Sequence, residues 1–281
     1  MSAQTDPRPS ALAGRWYPAD PDRLARTVDQ YLDQAELPEI AGEVVGVVTP
    51  HAGHQYSGAV AGHAFAAVEG LRPDLVVILS PLHQPARDPL LVTSHPAYQT
   101  PLGTVPVQHQ LLDEINRSLE TTSGLTLSHL ARDEEHSIEI VLPFLQRALE
   151  EDFAILPIMI RRQEQELMHA LTESLQQVLA DRDPLLVAST DLSHFYTARQ
   201  AEELDQTLIE AITSLDPKAV FRADREGTGF ACGKGALATV LWASQALGAN
   251  RAYHLKYSHS GRITGDNSRV VGYEAAALVR D

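Results

Sequence analysis

The residues best suited to metal or acid–base chemistry are a few histidines, one aspartate and the only cysteine of the chain. His51 lies in the stretch "TPHAGHQYSG" (49–58), and His83 lies in "ILSPLHQP" (78–85). Two imidazoles and a thiolate favour a soft or borderline transition metal such as iron, copper or zinc, and they disfavour magnesium and calcium. The long separations between His51, His83 and Cys232 differ from the compact ligand pairs of structural zinc modules. We therefore expect a metal held between loops of a folded scaffold.

Two further groups could move protons beside such a metal. Asp191 and His194 lie three residues apart in "VASTDLSHF" (187–195), where they could orient a ligand or act as acid and base. His136 begins the stretch "EHSIE" (135–139), which has acidic residues on both sides of the histidine. The sequence leaves two interpretations of His136 open, a solvated residue at a helix start and an inward-facing proton donor.

The cysteine lies in a glycine-rich stretch, "GTGFACGKGAL" (227–237), just before a predicted helix. Glycine allows the backbone to approach another group closely, and a helix N-terminus stabilises a thiolate. The alternative is that Cys232 is a small buried residue at a helix start, since free cysteines are commonly buried. The stretch matches neither the Walker pattern nor GxGxxG, so it is weak evidence for phosphate binding.

The elements that must position these residues follow from the hydrophobic pattern. Several runs rich in Val, Ile and Leu are continuous, which is typical of strands covered on both faces. Amphipathic segments with helical spacing lie between them, and this alternation predicts an α/β fold with a mainly parallel central sheet flanked by helices on both faces. The predicted strands are 43–49, 74–80, 88–94, 153–160, 184–189, 252–258 and 270–279, and the predicted helices are 22–37, 165–181, 198–215 and 235–248.

Two other segments have distinct signals. Residues 88–107 contain turn signals and no helical period, so a hairpin insertion is predicted there. Residues 134–151 show a helical pattern, and Pro143 within it should kink the helix or displace its start. We find no linker, repeat or low-complexity tract that marks a boundary, and we therefore predict a single domain over 1–281.

Three of the candidate residues follow predicted strands within a few positions. His51 follows the strand over 43–49, and His83 and Asp191 follow later strands in the same way. A single histidine at such a place is more often a surface or capping residue than a functional one. In open α/β sheets, however, ligands bind in the crevice outside the carboxyl ends of the strands. The repetition at three strands therefore favours a functional site at this edge.

Composition limits the classes of partner. With 22 basic and 37 acidic residues the formal net charge of the 281-residue chain is −15, which disfavours nucleic acid and anionic membranes as partners. No apolar stretch approaches the ~20 residues that span a bilayer, and "MSAQTDPRPS" lacks the regions of a signal peptide. A lone cysteine excludes an internal disulfide. We therefore predict a cytoplasmic protein.

Seven ordered motifs resemble those of the Memo family, the protein B component of the AmmeMemoRadiSam system. The resemblance extends over nearly the whole chain. The motifs are "RPSALAGRWYP" (8–18), "PHAGHQYSG" (50–58), "ILSPLHQP" (78–85), "EHSIEIVLPFL" (135–145), "STDLSHF" (189–195), "ACGKGAL" (231–237), and "YSHSGRITGD" together with "VVGYEAAAL" (257–278). This resemblance implies an α/β sandwich like that of the class III extradiol dioxygenases.

The resemblance also implies a ligand set. In those dioxygenases two histidines and a carboxylate hold a non-haem iron. The corresponding Memo-like pocket would place His51, His83 and Cys232 as ligands of one iron or copper ion, with Asp191 and His194 beside them.

Further family motifs contribute four residues. His136 is expected to join Asp191 and His194 in catalysis, and Trp16, Tyr17 and His54 are expected to contact substrate. The chain departs from the family pattern at His54, where a tyrosine is usual, and in "SPLHQP", where a "GPSHH"-like run is usual.

Three hypotheses for function follow. The first is a non-haem metal-dependent oxidoreductase, resembling a dioxygenase, that acts on a small molecule or peptide as component B alongside the AMMECR-like and radical SAM components. The second is a non-enzymatic module that binds a peptide or small ligand in the same pocket. The third is a hydrolase or transferase in which Cys232 is the nucleophile and His194 or His51 is the base.

Overall fold

The computed structural model describes residues 4–73 and 75–281. Asp74, in the predicted strand over 74–80, and the first three residues of the chain lie outside the described residues. The strands are β1 (Glu43–Thr49), β2 (Leu75–Pro81), β3 (Leu90–Thr93), β4 (Ala97–Thr100), β5 (Gly103–Pro106), β6 (Leu127–Leu130), β7 (Ala154–Ile160), β8 (Leu185–Ser189), β9 (His194–Tyr196), β10 (Ala249–His259) and β11 (Val270–Arg280). The helices are α1 (Pro21–Asp33), α2 (His54–Ala66), α3 (His109–Ser123), α4 (His136–Glu139), α5 (Leu142–Ala148), α6 (Gln165–Val178), α7 (Ala198–Thr213), α8 (Pro217–Glu226), α9 (Lys234–Ala246) and α10 (Gly261–Thr264).

The central sheet is mixed and mainly parallel, as predicted. Its strand order is β10-β11-β1-β8-β2-β7-β3-β6, with β9 paired to β11. The four middle strands β1, β8, β2 and β7 are parallel to one another. On one side β11 pairs antiparallel with β1 and β10 extends this edge, and on the other side β3 pairs antiparallel with β7. Every described residue of β2 and β7 is buried. Such continuous burial requires cover on both faces of the sheet, which explains the unbroken apolar runs in the sequence.

Helices cover this sheet in two groups. Helices α1, α2 and α5 pack together, and α6, α8 and α9 form the second group, with α2 and α9 directly against the strands. The hydrophobic pattern did not predict α2. Nine of its 13 residues are buried, so the helix has no polar face that would give it an amphipathic pattern. Among the described residues, no helix is long and apolar enough to cross a membrane.

Two irregular segments have the predicted form. The segment 88–107 contains the hairpin of β4 and β5. The segment 134–151 is divided into the short helices α4 and α5, and Pro143 lies in the first turn of α5. A proline is tolerated there because the first N–H groups of a helix have no partner within the helix. The break leaves Glu135 at the N-cap of α4, beside the sheet edge.

The register of the parallel strands brings their ends together. Strand β8 lies between β1 and β2, with Ser189 paired to Thr49 and Ala188 paired to Leu79. The chain segments that follow these three strands therefore leave the sheet at the same level. This common edge is where His51, His83 and Asp191 are found.

Candidate metal centre

Three imidazoles converge at the carboxyl edge of the sheet. The potential ligand atoms of His51, His83 and His136 all lie within 4.8 Å of one another. The ring centroids are 5.2 Å apart for His51 and His83, 5.3 Å for His51 and His136, and 4.4 Å for His83 and His136. The structure thus places His136, predicted as a catalytic residue, in one cluster with the two histidines predicted as ligands.

One buried carboxylate lies beside two of these rings. The Nδ1 atoms of His83 and His136 lie 2.8 Å and 3.2 Å from Oε1 of Glu135, whose side chain is completely buried. A carboxylate accepts hydrogen bonds, so His83 carries its proton on Nδ1 and keeps a lone pair on Nε2, whereas Nδ1 of His136 lies near the same carboxylate without a hydrogen bond to it. A second-shell carboxylate that sets the tautomer in this way is typical of histidine metal ligands.

A hydroxyl group orients the third ring. The Oγ atom of Ser189 donates its hydrogen to the carbonyl of Ser137 at 2.7 Å, so it can only accept from Nδ1 of His51, 3.0 Å away. His51 therefore also keeps its lone pair on Nε2. His51 and His83 are therefore both arranged to bind a metal through Nε2.

The charge state of the site suits metal binding. Burial alone would raise the pKa of Glu135, but its hydrogen bond with His83 and the nearby imidazoles outweigh burial and hold that pKa well below its usual range. Burial lowers the pKa of His136 to about 4, and burial with the neighbouring histidines lowers the pKa of His51. The rings of His51 and His136 are therefore neutral at neutral pH, which is the form that coordinates metals.

We did not predict Glu135 as a functional residue from the sequence. Its carboxylate also accepts hydrogen bonds from the backbone N–H groups of His83, His136 and Ser137. The available signal was the acidic residue directly before His136 in "EHSIE". A carboxylate beside a histidine is common on protein surfaces, so only its burial identifies this one.

We expect Glu135→Gln to weaken metal binding by roughly 10–100-fold, as is typical for loss of an outer-shell partner. The glutamine amide cannot accept from the Nδ1 group of His83 and from all three backbone N–H groups that the carboxylate satisfies. Anaerobic titration of the purified variant with iron(II) would measure the change. The matched control is Glu134→Gln, because Glu134 is exposed and adjacent. Equal affinities in the two variants would contradict this role for Glu135.

Cys232 reaches the cluster through a close backbone contact. A side chain at Gly233 would lie 2.9 Å from Oγ1 of Thr190, so only glycine lets this loop approach the end of β8. The sulfur of Cys232 lies 3.2 Å from Nε2 of His51, the atom that His51 would use to bind a metal. Burial, with a further contribution from the charge of Asp191, raises the pKa of the thiol to about 12.

Asp191 and His194 flank the same site. Oδ1 of Asp191 accepts a hydrogen bond from the backbone N–H of His51 at 2.8 Å. Burial raises the pKa of Asp191 to about 7, although this hydrogen bond acts in the opposite direction. Nδ1 of His194 donates to the carbonyl of Leu192 at 2.8 Å, which leaves its Nε2 as an acceptor, and burial lowers its pKa.

The cluster opens into a cavity of about 510 Å³. Trp16 forms one wall, with its ring centroid 4.7 Å from that of His136. The lining residues are Arg15, Trp16, His51, Ala52, Gly53, Gln55, Tyr56, His83, His136, Asp191 and His194. Tyr17 and His54, also predicted to contact substrate, instead line a neighbouring cavity. The hydroxyl of Tyr17 is engaged by Glu139, and Nε2 of His54 donates to the carbonyl of Ile140.

The donor set fits a transition metal. Metal–nitrogen and metal–sulfur bonds of about 2.0–2.3 Å place two ligand atoms of a tetrahedral ion about 3.5 Å apart. The 3.2 Å between the sulfur of Cys232 and Nε2 of His51 is close to that spacing. Imidazoles with a soft sulfur favour iron, copper or zinc over magnesium or calcium. His51, His83 and His136 can therefore hold an ion, with Cys232 as a further candidate ligand.

Comparison with known proteins gives a consistent result over the whole chain. Residues 8–277 match the family model described as "Memo-like protein". A MEMO1 family protein of Methanosarcina barkeri is 34% identical over 270 residues, covering 95% of this chain and 98% of the relative. A MEMO1 family protein of Methanopyrus kandleri is 34% identical over 283 residues, covering 97% and 99%. One of Nitrosopumilus maritimus is 32% identical over 276 residues, with the same coverage of 97% and 99%.

Proposed function

The chain belongs to the Memo-like protein family, and we propose that it is a non-haem metal-dependent oxidoreductase acting on a small molecule or peptide. The observation that carries this proposal is the convergence of three imidazoles at an open cavity that also contains Asp191 and His194. A catalytic metal site is accessible to substrate, and this cluster lies in the lining of a cavity. We also propose that the protein acts as component B of the AmmeMemoRadiSam system, beside the AMMECR-like and radical SAM proteins.

His51, His83 and His136 would hold one iron or copper ion, with Cys232 as a candidate fourth ligand. Such an ion supplies one-electron chemistry and activation of dioxygen, which protein side chains cannot provide. Glu135 and Ser189 keep the rings of His83 and His51 in the tautomer that presents Nε2.

We assign proton transfer in the reaction to two residues that line the cavity. Nε2 of His194 has a lone pair because Nδ1 donates to Leu192, so His194 can accept a proton from substrate. Asp191, whose pKa burial raises to about 7, can hold or release a proton near neutral pH. Both side chains line the cavity and can reach a bound molecule. Trp16 and Tyr56 provide aromatic surface in the lining of this cavity.

The test is anaerobic titration of metal-free protein with iron(II) and copper(I), each followed by elemental analysis and measurement of oxygen uptake. We expect one ion per chain and oxygen uptake that depends on the bound ion and on added substrate. Stable binding of zinc alone, with neither redox metal retained, would contradict the proposal. Retention of a redox metal with no turnover of any tested substrate would favour the ligand-binding hypothesis.

Cys232 as a nucleophile is disfavoured by its environment. In metal-free folded protein at pH 7.5 we expect iodoacetamide to alkylate Cys232 at least about 100-fold more slowly than in the urea-unfolded chain, because the thiolate is the reactive form. Mass spectrometry of timed samples measures both rates, and this single cysteine is its own control. Equal rates in the folded and unfolded chains would support the hydrolase or transferase hypothesis instead.

A further inference from the structure

The loop between β8 and β9 carries Asp191 and His194 to the cavity and is anchored on its other side. The two residues between them, Leu192 and Ser193, are completely buried. The backbone N–H of Leu192 donates to the carbonyl of Gly272 at 2.9 Å, and the N–H of Gly272 donates to the carbonyl of Ser193 at 2.9 Å. These bonds attach the loop to β11. The N–H of Ser193 is bonded to a side chain instead.

That side chain is Asp205 of α7, which is completely buried. Its Oδ1 atom accepts from the N–H of Ser193 at 2.9 Å, and its Oδ2 atom accepts from the hydroxyl of Tyr257 at 2.7 Å. A Cβ atom at Gly272 would overlap Oδ2 of Asp205, so only glycine lets the carboxylate lie against β11 at this point. Burying a carboxylate is costly unless it is hydrogen-bonded. Both oxygens of Asp205 are therefore fixed by specific donors.

The backbone of Phe195 provides a second, independent observation. Its φ of 68° lies in the left-handed region, which is strained for a side chain with a Cβ atom. Phe195 is the extra residue of a β-bulge, because the residues on either side of it pair with two consecutive residues of β11. Its ring is 62% exposed and contacts the exposed guanidinium of Arg269, so packing of the ring does little to hold this conformation.

Strain of this kind persists only where the surrounding structure holds the backbone in place. Bulges beside functional sites change the direction of a neighbouring side chain, and the neighbour here is His194. The direction of His194 therefore depends on the contacts that hold the loop before Phe195. Among these contacts, the one made by a side chain is that of Asp205 with Ser193.

We infer that Asp205 is a positioning residue of the candidate metal centre. By accepting from the N–H of Ser193, it holds the loop in the conformation that directs His194 into the cavity. Asp205 itself is not among the described residues that line the cavity. Without this acceptor the N–H of Ser193 would be buried with no partner, and the loop would relax and turn His194 away. The inference rests on the proposed function for the role of His194 in proton transfer.

The tautomer of His194 reports the position of the loop, because its Nδ1 atom donates to the carbonyl of Leu192 within that loop. The nitrogen chemical shifts of ¹⁵N-labelled histidine distinguish a protonated ring nitrogen from an unprotonated one. A His194→Gln variant identifies the signals of His194 among those of the 12 histidines. In metal-free wild-type protein we expect one tautomer, with the proton on Nδ1.

Substitutions of Asp205 test its role. Asp205→Ala should shift the Nδ1 signal of His194 toward that of an unprotonated nitrogen, since the freed ring samples both tautomers. Asp205→Asn should keep the wild-type signal, because the amide oxygen can still accept from Ser193. Glu274→Ala is the matched control, because Glu274 is also completely buried but is hydrogen-bonded to His254 instead of the loop. Loss of this second buried carboxylate should lower stability and leave the signal unchanged.

If circular dichroism shows that Asp205→Ala does not fold, Tyr257→Phe takes its place. It removes the donor to Oδ2 of Asp205 and should give a smaller shift of the same sign. The inference is overturned if the folded variant used leaves the His194 signal unchanged, or if Asp205→Asn or Glu274→Ala shifts it equally. The measurement needs neither metal nor substrate, so the metal titration of the wild-type protein tests the proposed function separately.

Discussion

Replacement of His51, His83 or His136 by alanine is expected to weaken binding of iron(II) or copper(I) by at least about 100-fold. Loss of an outer-shell partner typically costs 10–100-fold in affinity, and loss of a ligand itself must cost more. We expect this because the potential ligand atoms of all three residues lie within 4.8 Å of one another and can contact the same ion. Anaerobic titration followed by desalting and elemental analysis measures the effect for each variant.

Two other histidines serve as controls for this experiment. His169→Ala should leave metal affinity unchanged, because His169 is exposed on α6, away from the cavity lining. His194→Ala removes a cavity histidine outside the cluster, so it should retain metal and lose turnover. Wild-type affinity in all three cluster variants would refute the site. Cys232→Ser tests whether the sulfur is a ligand. If it is, this variant should lose about as much metal affinity as a variant that lacks one of the three histidines.

Arg8→Ala is expected to lower the free energy of unfolding by about 3–5 kcal/mol, the usual cost of leaving a buried charge without its partner. The side chain of Arg8 is completely buried and contacts the carboxylates of Glu139 and Asp133, which are also completely buried. Its guanidinium also lies 5.0 Å from the ring centroid of Tyr98. Urea unfolding monitored by circular dichroism measures the loss.

An exposed pair provides the comparison for Arg8. Arg72→Ala removes an ion pair with Glu150 in which both side chains are more than half exposed, and solvent screening should make its effect small. If Arg8→Ala fails to fold, Arg8→Lys keeps the charge but loses the planar guanidinium contacts, and it should show a smaller loss of the same sign. Equal stabilities of the Arg8→Ala and Arg72→Ala variants would refute this role for the buried pair.

The buried charges of Arg8 and Glu139, which stabilise the fold, also help to position residues of the candidate metal centre. Glu139 accepts hydrogen bonds from the backbone N–H groups of Ala11 and Leu12 and from the hydroxyl of Tyr17. These contacts fasten the N-terminal segment to α4, the helix that begins with His136. Trp16 lies within this segment and packs on His136, so the position of this cavity wall depends on the buried charges of Arg8 and Glu139.

Much of the site was predictable because strand ends are encoded locally. The runs over 43–49 and 184–189 are apolar and continuous, and they form β1 and β8 at nearly those bounds. His51 and Asp191 follow directly, so their shared edge follows from the parallel order of the strands. The broken helix over 134–151 was likewise predictable from Pro143.

The grouping of His136 with His51 and His83 was not predictable in the same way. His136 follows no strand, and its sequence neighbours suit an exposed helix start as well as a buried one. Its position depends on Glu135, which is buried and hydrogen-bonded to His83, 52 residues away in the sequence. The placement of Tyr17 and His54 in the neighbouring cavity depends equally on distant partners, Glu139 and Ile140.

The sequence alone determined the α/β class, the mainly parallel sheet and the edge at which His51, His83 and Asp191 emerge, because hydrophobic period and strand ends are local properties of the chain. Only the tertiary structure decided which side chains share that edge, which ring atom His51 and His83 present, and that Trp16 lines two cavities. Those features depend on hydrogen bonds and burial between residues far apart in the chain, and no local pattern encodes such contacts.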